Sequence, residues 1–459
     1  MSFAENYLPT ADVLPTRPRV LIAGGGVAAL ELLLALRVKA GAQLAITVLS
    51  GGPEFAPRAM TVAEPFERGG AQTYGWAEIA DRHDVRLVVD KLIAIDTGSR
   101  TAFTHSGRRI PYDVLALATG ARRVAPFTGA LTFGMNAAGP ADLRALLTET
   151  RSAEHADVAF ALPWPSTWSL PLYELALLTA HELREHGSPA RVRIVTPEEH
   201  ALELLGPAAR DAVLPMLEAF DIELVAGAQP RAVVAGGLQL DDGTVITAEH
   251  VVTLADVVAH PVPGLPSDRA GFVPVNRYGL VAGEEGVYAA GEATSFPLRQ
   301  GGIAAQQADV VAASIAARYA DGEAPAPFAP VLRGRMTTSG APLYLQARPS
   351  GQSLASHRAL WSPPEKIAGR YVAPYLASAA RPGRVGSAAL GERVPAVAGA
   401  PGDDDAVTLA LSLAAAESRC RNHTRALQAL DAAEALDPHG RDPAYAQLRA
   451  LLGEPVPAA

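Results

Sequence analysis

Hydrophobic positions in this chain fall into short unbroken runs that alternate with longer stretches at helical spacing. Val20–Ala23 is one such run, and it ends in Gly24-Gly25-Gly26. That pattern reads as a strand buried on both faces entering a tight turn. Val27–Val38 follows as a helix, with Leu30, Leu33 and Leu34 on one face and Arg37 and Lys39 at its end. Leu44–Leu49 repeats the buried-strand pattern and completes a βαβ unit. Val85–Ile95 and Arg109–Ala118 read as further strands. From Asp157 the alternation restarts, with strand Val158–Leu162, helix Leu172–His186, strand Arg191–Val195, helix Ala208–Phe220 and strand Ile222–Val225. Ala232–Val245 reads as a hairpin turning near Asp241-Asp242-Gly243. Strand patterning returns at Val251 and at Val287–Gly291, and a long helix follows from Gly302 to Tyr319.

The remainder divides by composition. Residues 331–378 form a mixed segment with proline-rich joints, and 382–404 are rich in Pro, Gly, Ala and Asp, as a linker is. Residues 405–452 are rich in Ala and Leu and predict helices over Ala406–Cys420, Thr424–Leu436 and Tyr445–Leu452. The first two carry facing stripes, Leu409, Leu413 and Ala416 against Ala426, Leu430 and Ala433, and resemble a single tetratricopeptide hairpin. One repeat does not make a solenoid, so the tail is expected to cap the body or an interface.

Composition narrows the classes. The 459 residues carry 49% apolar and 19% charged side chains, which excludes bulk disorder. The charge sum is 39 − 48 = −9, and no long basic run offers a nucleic-acid footprint. Cys420 stands alone in the sequence, expected as a buried helix residue, so disulfide frameworks and Cys-rich zinc or iron–sulfur sites are excluded. The longest apolar runs, Val27–Leu36 and Ala406–Ala416, are about half of the ~20 residues that a membrane-spanning helix requires. Met1–Pro15 has no basic start and no apolar core of a secretory signal. The chain therefore reads as a soluble cytoplasmic protein with no metal site.

Gly24-Gly25-Gly26-Val27-Ala28-Ala29 fits G-x-G-x-x-A between a strand and a helix. Such a turn lets the backbone approach a pyrophosphate, and the helix start offers free N–H groups to it. The acid that often ends the second strand is replaced by Ser50, whose hydroxyl can still reach a ribose. Two further segments are Tyr112–Ala121, containing Ala118-Thr119-Gly120, and Gly286–Thr294, containing Gly291-Glu292. At these residues the chain resembles flavoproteins with two dinucleotide-binding domains. The resemblance implies FAD across the first domain, with Glu292 in the place of the acid that binds its ribityl chain.

Phe296–Ala308, Trp361–Tyr371, and Arg58 with Ala63-Glu64-Pro65-Phe66 resemble the sulfide:quinone oxidoreductase and type II NADH dehydrogenase branch. There the helix beginning at Gly302, with Ile303 and Gln306, points its N-terminus at the flavin ring. Arg299 and Lys366 are implied near the ring or the acceptor, and the backbone of Leu92 near the adenine. The branch also implies what this chain lacks. The second α/β block carries Pro163-Trp164-Pro165-Ser166-Thr167-Trp168 where a nicotinamide-binding member has glycines. Trp168 and Arg335–Gly340 stand where sulfide-oxidising relatives have cysteines. Thr196-Pro197-Glu198 and Glu198-Glu199 are expected as a solvated turn and helix start. His181-Glu182-Leu183-Arg184-Glu185-His186 spaces its histidines by five, so they do not share a helix face as zinc ligands would.

The expectation is an α/β chain of two Rossmann-like domains with a C-terminal segment and a helical tail. Its divisions are 17–125 (FAD domain, first part), 126–250 (degenerate second domain), 251–330 (FAD domain, second part), 331–381, the linker, and 405–459. Candidate FAD contacts are Gly24, Gly25, Gly26, Ala29, Ser50, Arg58, Leu92, Thr119, Gly120, Gly291, Glu292, Arg299, Gly302, Ile303, Gln306 and Lys366. The expected function is an FAD-dependent oxidoreductase passing electrons from a small-molecule donor to an acceptor such as a quinone. The alternative is an FAD-containing scaffold. The tail is the candidate surface for a second copy or a protein partner.

Overall fold

The computed structural model describes residues 17–70, 72–152, 156–379, 404–437 and 443–454. Met1–Pro15 and all of the expected linker except Asp404 lie outside the described residues. β1 (Arg19–Ala23) is buried from Val20 onward and turns through the glycines into α1 (Val27–Ala40). β2 (Ala45–Ser50), β3 (Arg86–Val89) and β4 (Val114–Leu117) join β1 in a parallel sheet. Both long strands expected in this region are split. Val85–Ile95 breaks at Asp90, whose carboxylate takes the N–H groups of Lys91 and Ser106. Leu92–Asp96 and Arg109–Pro111 then leave for a separate antiparallel sheet with Thr101–Thr104.

The second unit contributes β5 (Leu131–Phe133), β6 (Val158–Ala161), α2 (Leu170–Glu185), β7 (Val192–Val195), α3 (Gly206–Ala219), β8 (Glu223–Val225) and β9 (His250–Leu254). Its sheet has the order β5-β9-β6-β7-β8, all parallel. Residues just past 250 thus belong to this sheet. The chain returns through β10 (Val287–Ala289), which pairs with β4 and sets the first sheet in the order β10-β4-β1-β2-β3. Parallel neighbours need long crossovers, and both faces of each sheet are buried, one by helices and the other by antiparallel strands and loops. This is why the strands read as continuous apolar runs. An antiparallel ribbon, Arg122–Val124 against Asp256–Val258, links the two units.

α4 (Gly301–Tyr319) packs on α1. β11 (Leu332–Met336), β12 (Leu343–Ala347) and β13 (Ser353–Ser356) form an antiparallel sheet, and α5 (Val372–Ala379) closes on α1. The expected apolar stripe of α1 is a full jacket: every residue from Ala28 to Leu36 is buried. Covered by α4 and α5, this stretch has no solvent side, and Glu31 is sealed inside at 0% exposure. Its carboxylate accepts from the N–H groups of Tyr371 (3.0 Å) and Val372 (2.6 Å). In the tail, α6 (Asp405–Arg419), α7 (His423–Leu436) and α8 (Pro443–Leu451) share one continuous apolar core with α2, β11 and β12.

Candidate functional site

The glycine turn is fixed by what surrounds it. Gly24 has φ +146°, and a Cβ there would lie 2.0 Å from the Ala118 carbonyl oxygen. A Cβ on Gly25 would lie 2.2 Å from Ser50 Oγ, while Trp76 Nε1 donates to the Gly25 carbonyl at 3.3 Å. Gly26 differs: a Cβ there would meet nothing within 4 Å. It begins α1 with no side-chain cap, so the N–H groups of the first turn, which includes the buried Ala29, face outward unpaired by any side chain. Ser50 is 1% exposed, and its hydroxyl donates to Gly52 O at 2.7 Å, so it shapes the loop end. Leu92 is half-buried on the small antiparallel sheet, next in sequence to Lys91, whose Cγ lies 3.8 Å from the Cβ position of Gly51.

The downstream segments meet this turn. Gly291, at φ +78°, approaches so closely that a Cβ would lie 3.1 Å from Ala28 Cβ and 3.4 Å from Ala304 Cβ. The starts of α1 and α4 therefore converge on Gly291. Glu292 Oε2 lies 4.0 Å from the Cβ position of Gly120, itself at φ +71°. Thr119 Oγ1 is buried without a hydrogen-bond partner. Sequence reasoning missed Arg123, whose Nη2 donates to Glu292 Oε1 at 2.7 Å. The only signal was its place just past the Ala-Thr-Gly end of β4. Arg58 is exposed as a residue, and its guanidinium is lowered from its ordinary value by partial burial and by Arg123, with Glu292 opposing.

Arg299 packs 3.9 Å from the Phe272 ring centre and donates to Thr294 O at 2.5 Å. Burial pushes it down to about 10, against the attraction of Glu292 and Asp268. The start of α4 is less open than the sequence suggests. Gln300 caps it by accepting from Ile303 N at 2.8 Å, leaving little room beside Gly302. Gln306 is committed to Gly302 O, Val331 O and Val331 N, so it ties α4 to the approach of β11. Lys366 Nζ lies 2.6 Å from Glu174 Oε1 on α2, which also accepts from Thr337 N at 2.6 Å. Ile367, the next residue, touches the Gly301 position, so this buried ion pair stands beside the start of α4.

The second unit and the tail each correct one expectation. Glu198 is buried, not solvated. It accepts from Ser169 Oγ (2.8 Å), Tyr173 OH (3.0 Å), Thr196 Oγ1 (3.1 Å) and Glu203 N (3.1 Å). Burial pushes its carboxyl up to about 7 despite the three hydroxyl donors. Cys420 follows the last turn of α6 as its C-cap and is half-buried, with burial raising its thiol to about 11. Among the described residues no group of three His, Cys, Asp or Glu could hold a metal ion. No helix of the described residues is long and apolar enough to cross a membrane.

Two parallel, helix-covered sheets, the first interrupted by the second and bearing a glycine turn that meets a Gly-Glu segment from far downstream, have the architecture of FAD-dependent oxidoreductases. Residues 175–312 match the family model described as pyridine nucleotide-disulphide oxidoreductase. A sulfide-quinone reductase of Aquifex aeolicus (strain VF5) is 28% identical over 173 residues, 37% of this chain and 40% of the relative. The matched stretch thus spans well under two thirds of that relative. The X-ray structure of the sulfide:quinone oxidoreductase from Aquifex aeolicus superposes with a TM-score of 0.65 at 19% identity, covering 74% of this chain and 86% of that one. A ferredoxin reductase from Rhodopseudomonas palustris gives 0.54 at 18%, covering 72% and 82%. Together these findings support a likeness to the pyridine nucleotide-disulphide oxidoreductases and their sulfide-quinone-reductase-like branch: the family match covers residues 175–312, and the solved structures share the fold.

FAD is the cofactor of this class, and the residues present fit it. The side of Gly26 is open, the first turn of α1 is uncapped, and Thr119 Oγ1 is buried without a partner. Arg58 and Arg123 gather around Glu292, which suits a ligand that carries phosphate charge.

Proposed function

We propose that this chain is an FAD-dependent oxidoreductase that passes electrons from a small-molecule donor to an acceptor of the quinone class. The observation that carries this reading is the convergence of the turn Gly24–Ala28, Gly291-Glu292 and Ala118–Gly120 from three distant parts of the sequence. When bound, FAD supplies two-electron chemistry at its ring. The chain's own residues then divide the remaining work. Gly26 admits the pyrophosphate against the backbone, and the α1 start offers N–H donors. Glu292, held by Arg123, accepts from hydroxyls of the ribityl chain. The dipole of α4 favours negative charge near its start. The Lys366–Glu174 ion pair stands next to that helix start. Ser50 and Leu92 would flank the adenosine end of FAD, and Arg299 stiffens the loop entering α4.

The test is the absorption spectrum of purified protein. A flavin spectrum, released as FAD on denaturation, is expected. A colourless preparation that does not reconstitute with FAD overturns the reading. A scaffold reading is favoured by one observation: Cys420 is the only cysteine, and it lies in the tail, so no thiol pair brackets the groove. Anaerobic titration with NADH, NADPH, sulfide and reduced quinone separates the two. Bleaching by any of these donors supports turnover. Retained flavin that none of them reduces supports the scaffold.

A further inference from the structure

The second sheet has its own ligand position. Its order, β5-β9-β6-β7-β8, reverses between β9 and β6. In open parallel sheets, ligands lie beyond the carboxyl ends of the strands at such a reversal. Here that position is built by the loop 162–169 after β6 and by Ala255-Asp256 after β9. Both are covered by the tail.

The cover is chemically specific. Glu417 on α6, at 0% exposure, accepts from the backbone N–H of Ser166 at 2.9 Å. A loop N–H at this point is what a dinucleotide phosphate would take. Arg425 on α7 pairs with both carboxylate oxygens of Asp256, one of them at 2.5 Å. Its guanidinium lies over the Trp164 ring, 5.0 Å from the centre, and Trp164 Nε1 donates to Asp256 at 3.2 Å. Arg419 pairs with Glu199 at 3.0 Å and Glu203 at 3.3 Å, past the end of β7, where an acid reading a ribose would stand. Under α2, Glu198 takes the hydroxyls of Ser169 and Tyr173. A carboxylate, a stacked cation and a second arginine thus meet the groups that a nucleotide would otherwise need.

We infer that the helical tail is the resident occupant of the second dinucleotide site, with Glu417 and Arg425 taking the nucleotide's place. The chain therefore draws electrons from a donor that does not use this site. Because the tail belongs to the same chain, its hold does not weaken on dilution, as a second molecule's would. The ribbon that carries Asp256 also carries Arg123 of the first groove, opposite Val257. The plug accordingly abuts the edge of the flavin groove, within electrostatic reach of Arg299. This goes beyond the proposed oxidoreductase activity and does not require bound flavin.

The full-length chain carries its own probe, since Cys420 is its single thiol and is half-buried beside Glu417 and Arg419. Labelling by dithionitrobenzoate is compared in the wild type, Arg425→Glu and the milder Arg425→Lys, with far-UV circular dichroism confirming that each is folded. Labelling should be about tenfold faster or more in Arg425→Glu, because a reversed charge leaves Asp256 buried and unpaired. Arg425→Lys should fall between the two and keeps the test usable if the charge reversal does not fold. Equilibrium dialysis of the wild type with NADH and NADPH should show no binding at micromolar concentrations. Wild-type labelling rates in both folded variants overturn the latch. Micromolar binding of either nucleotide by wild type with Cys420 still protected overturns the placement. Neither readout uses the flavin, so failure here is distinguishable from failure of the oxidoreductase reading.

Discussion

Three single residues show how differently glycine and a buried acid can serve one fold. Gly24 is required by the fold: Gly24→Ala drives a methyl to 2.0 Å from Ala118 O. A loss of about 3 kcal/mol or more in denaturant unfolding is expected. Gly26 is not required by the fold, because its added methyl meets empty space. Gly26→Ala should keep the melting temperature of the FAD-free chain yet weaken FAD binding about tenfold or more, read by flavin fluorescence on titration. Equal FAD affinity in that variant would remove Gly26 from the binding surface. Glu31 makes a pH-dependent case. Burial raises its carboxyl to about 8, against the N–H groups of Val372 and Tyr371, while the unfolded chain titrates near its ordinary 4.5. Between those values the folded state holds the extra proton, so stability is greatest in acid and falls as pH rises toward 8. Glu31→Gln should flatten that fall in melting temperature between about pH 5 and pH 8. The sequence offered no hint of this beyond an acid set within a leucine-rich helix.

Among the elements, α4 carries the most exposed prediction. Gln300 both caps it and donates to Arg333 O at 2.9 Å, so one side chain fixes the helix start to β11. Gln300→Ala should cost about 1 kcal/mol in global stability, with a shift in the visible flavin spectrum as the helix start loosens. An unchanged spectrum would separate α4 from the ring. α2 and the segment before α5 are joined by Lys366 and Glu174, with side chains 9% and 0% exposed. Lys366→Met leaves a buried carboxylate unpaired and should cost about 3–5 kcal/mol, whereas the double change Lys366→Met with Glu174→Gln should recover much of it. The short strands were hard to delimit from sequence because a polar residue such as Asp90 ends a strand by capturing N–H groups, not by breaking the apolar pattern.

At the scale of the whole molecule, the tail and the second unit share one core. Loss of helix and exposure of Cys420 should therefore coincide in a urea titration, as one cooperative transition. Separate midpoints would show that the tail folds as an independent unit. The same arrangement explains how the missing glycine fingerprint was legible while its replacement was not. Pro163, Trp164 and Pro165 stand where glycines would cradle a pyrophosphate, and the prolines have no N–H to offer one. Nothing local to Glu417 or Arg425, some 250 residues away (Ser166 to Glu417 spans 251), says that they fill the space.

By itself the sequence determined the run of buried strands, the glycine turn between β1 and α1, and the acid in the Gly-Glu segment, because those depend on short-range rules of burial and backbone freedom. It also determined that one thiol is all the sulfur nucleophile the chain owns. Tertiary structure alone decided that Arg123 holds Glu292, that Glu31 and Glu198 are sealed inside, and that the tail sits on the second sheet. Each of these is a pairing across the fold, and the energy of a buried charge depends on what the chain brings beside it from elsewhere.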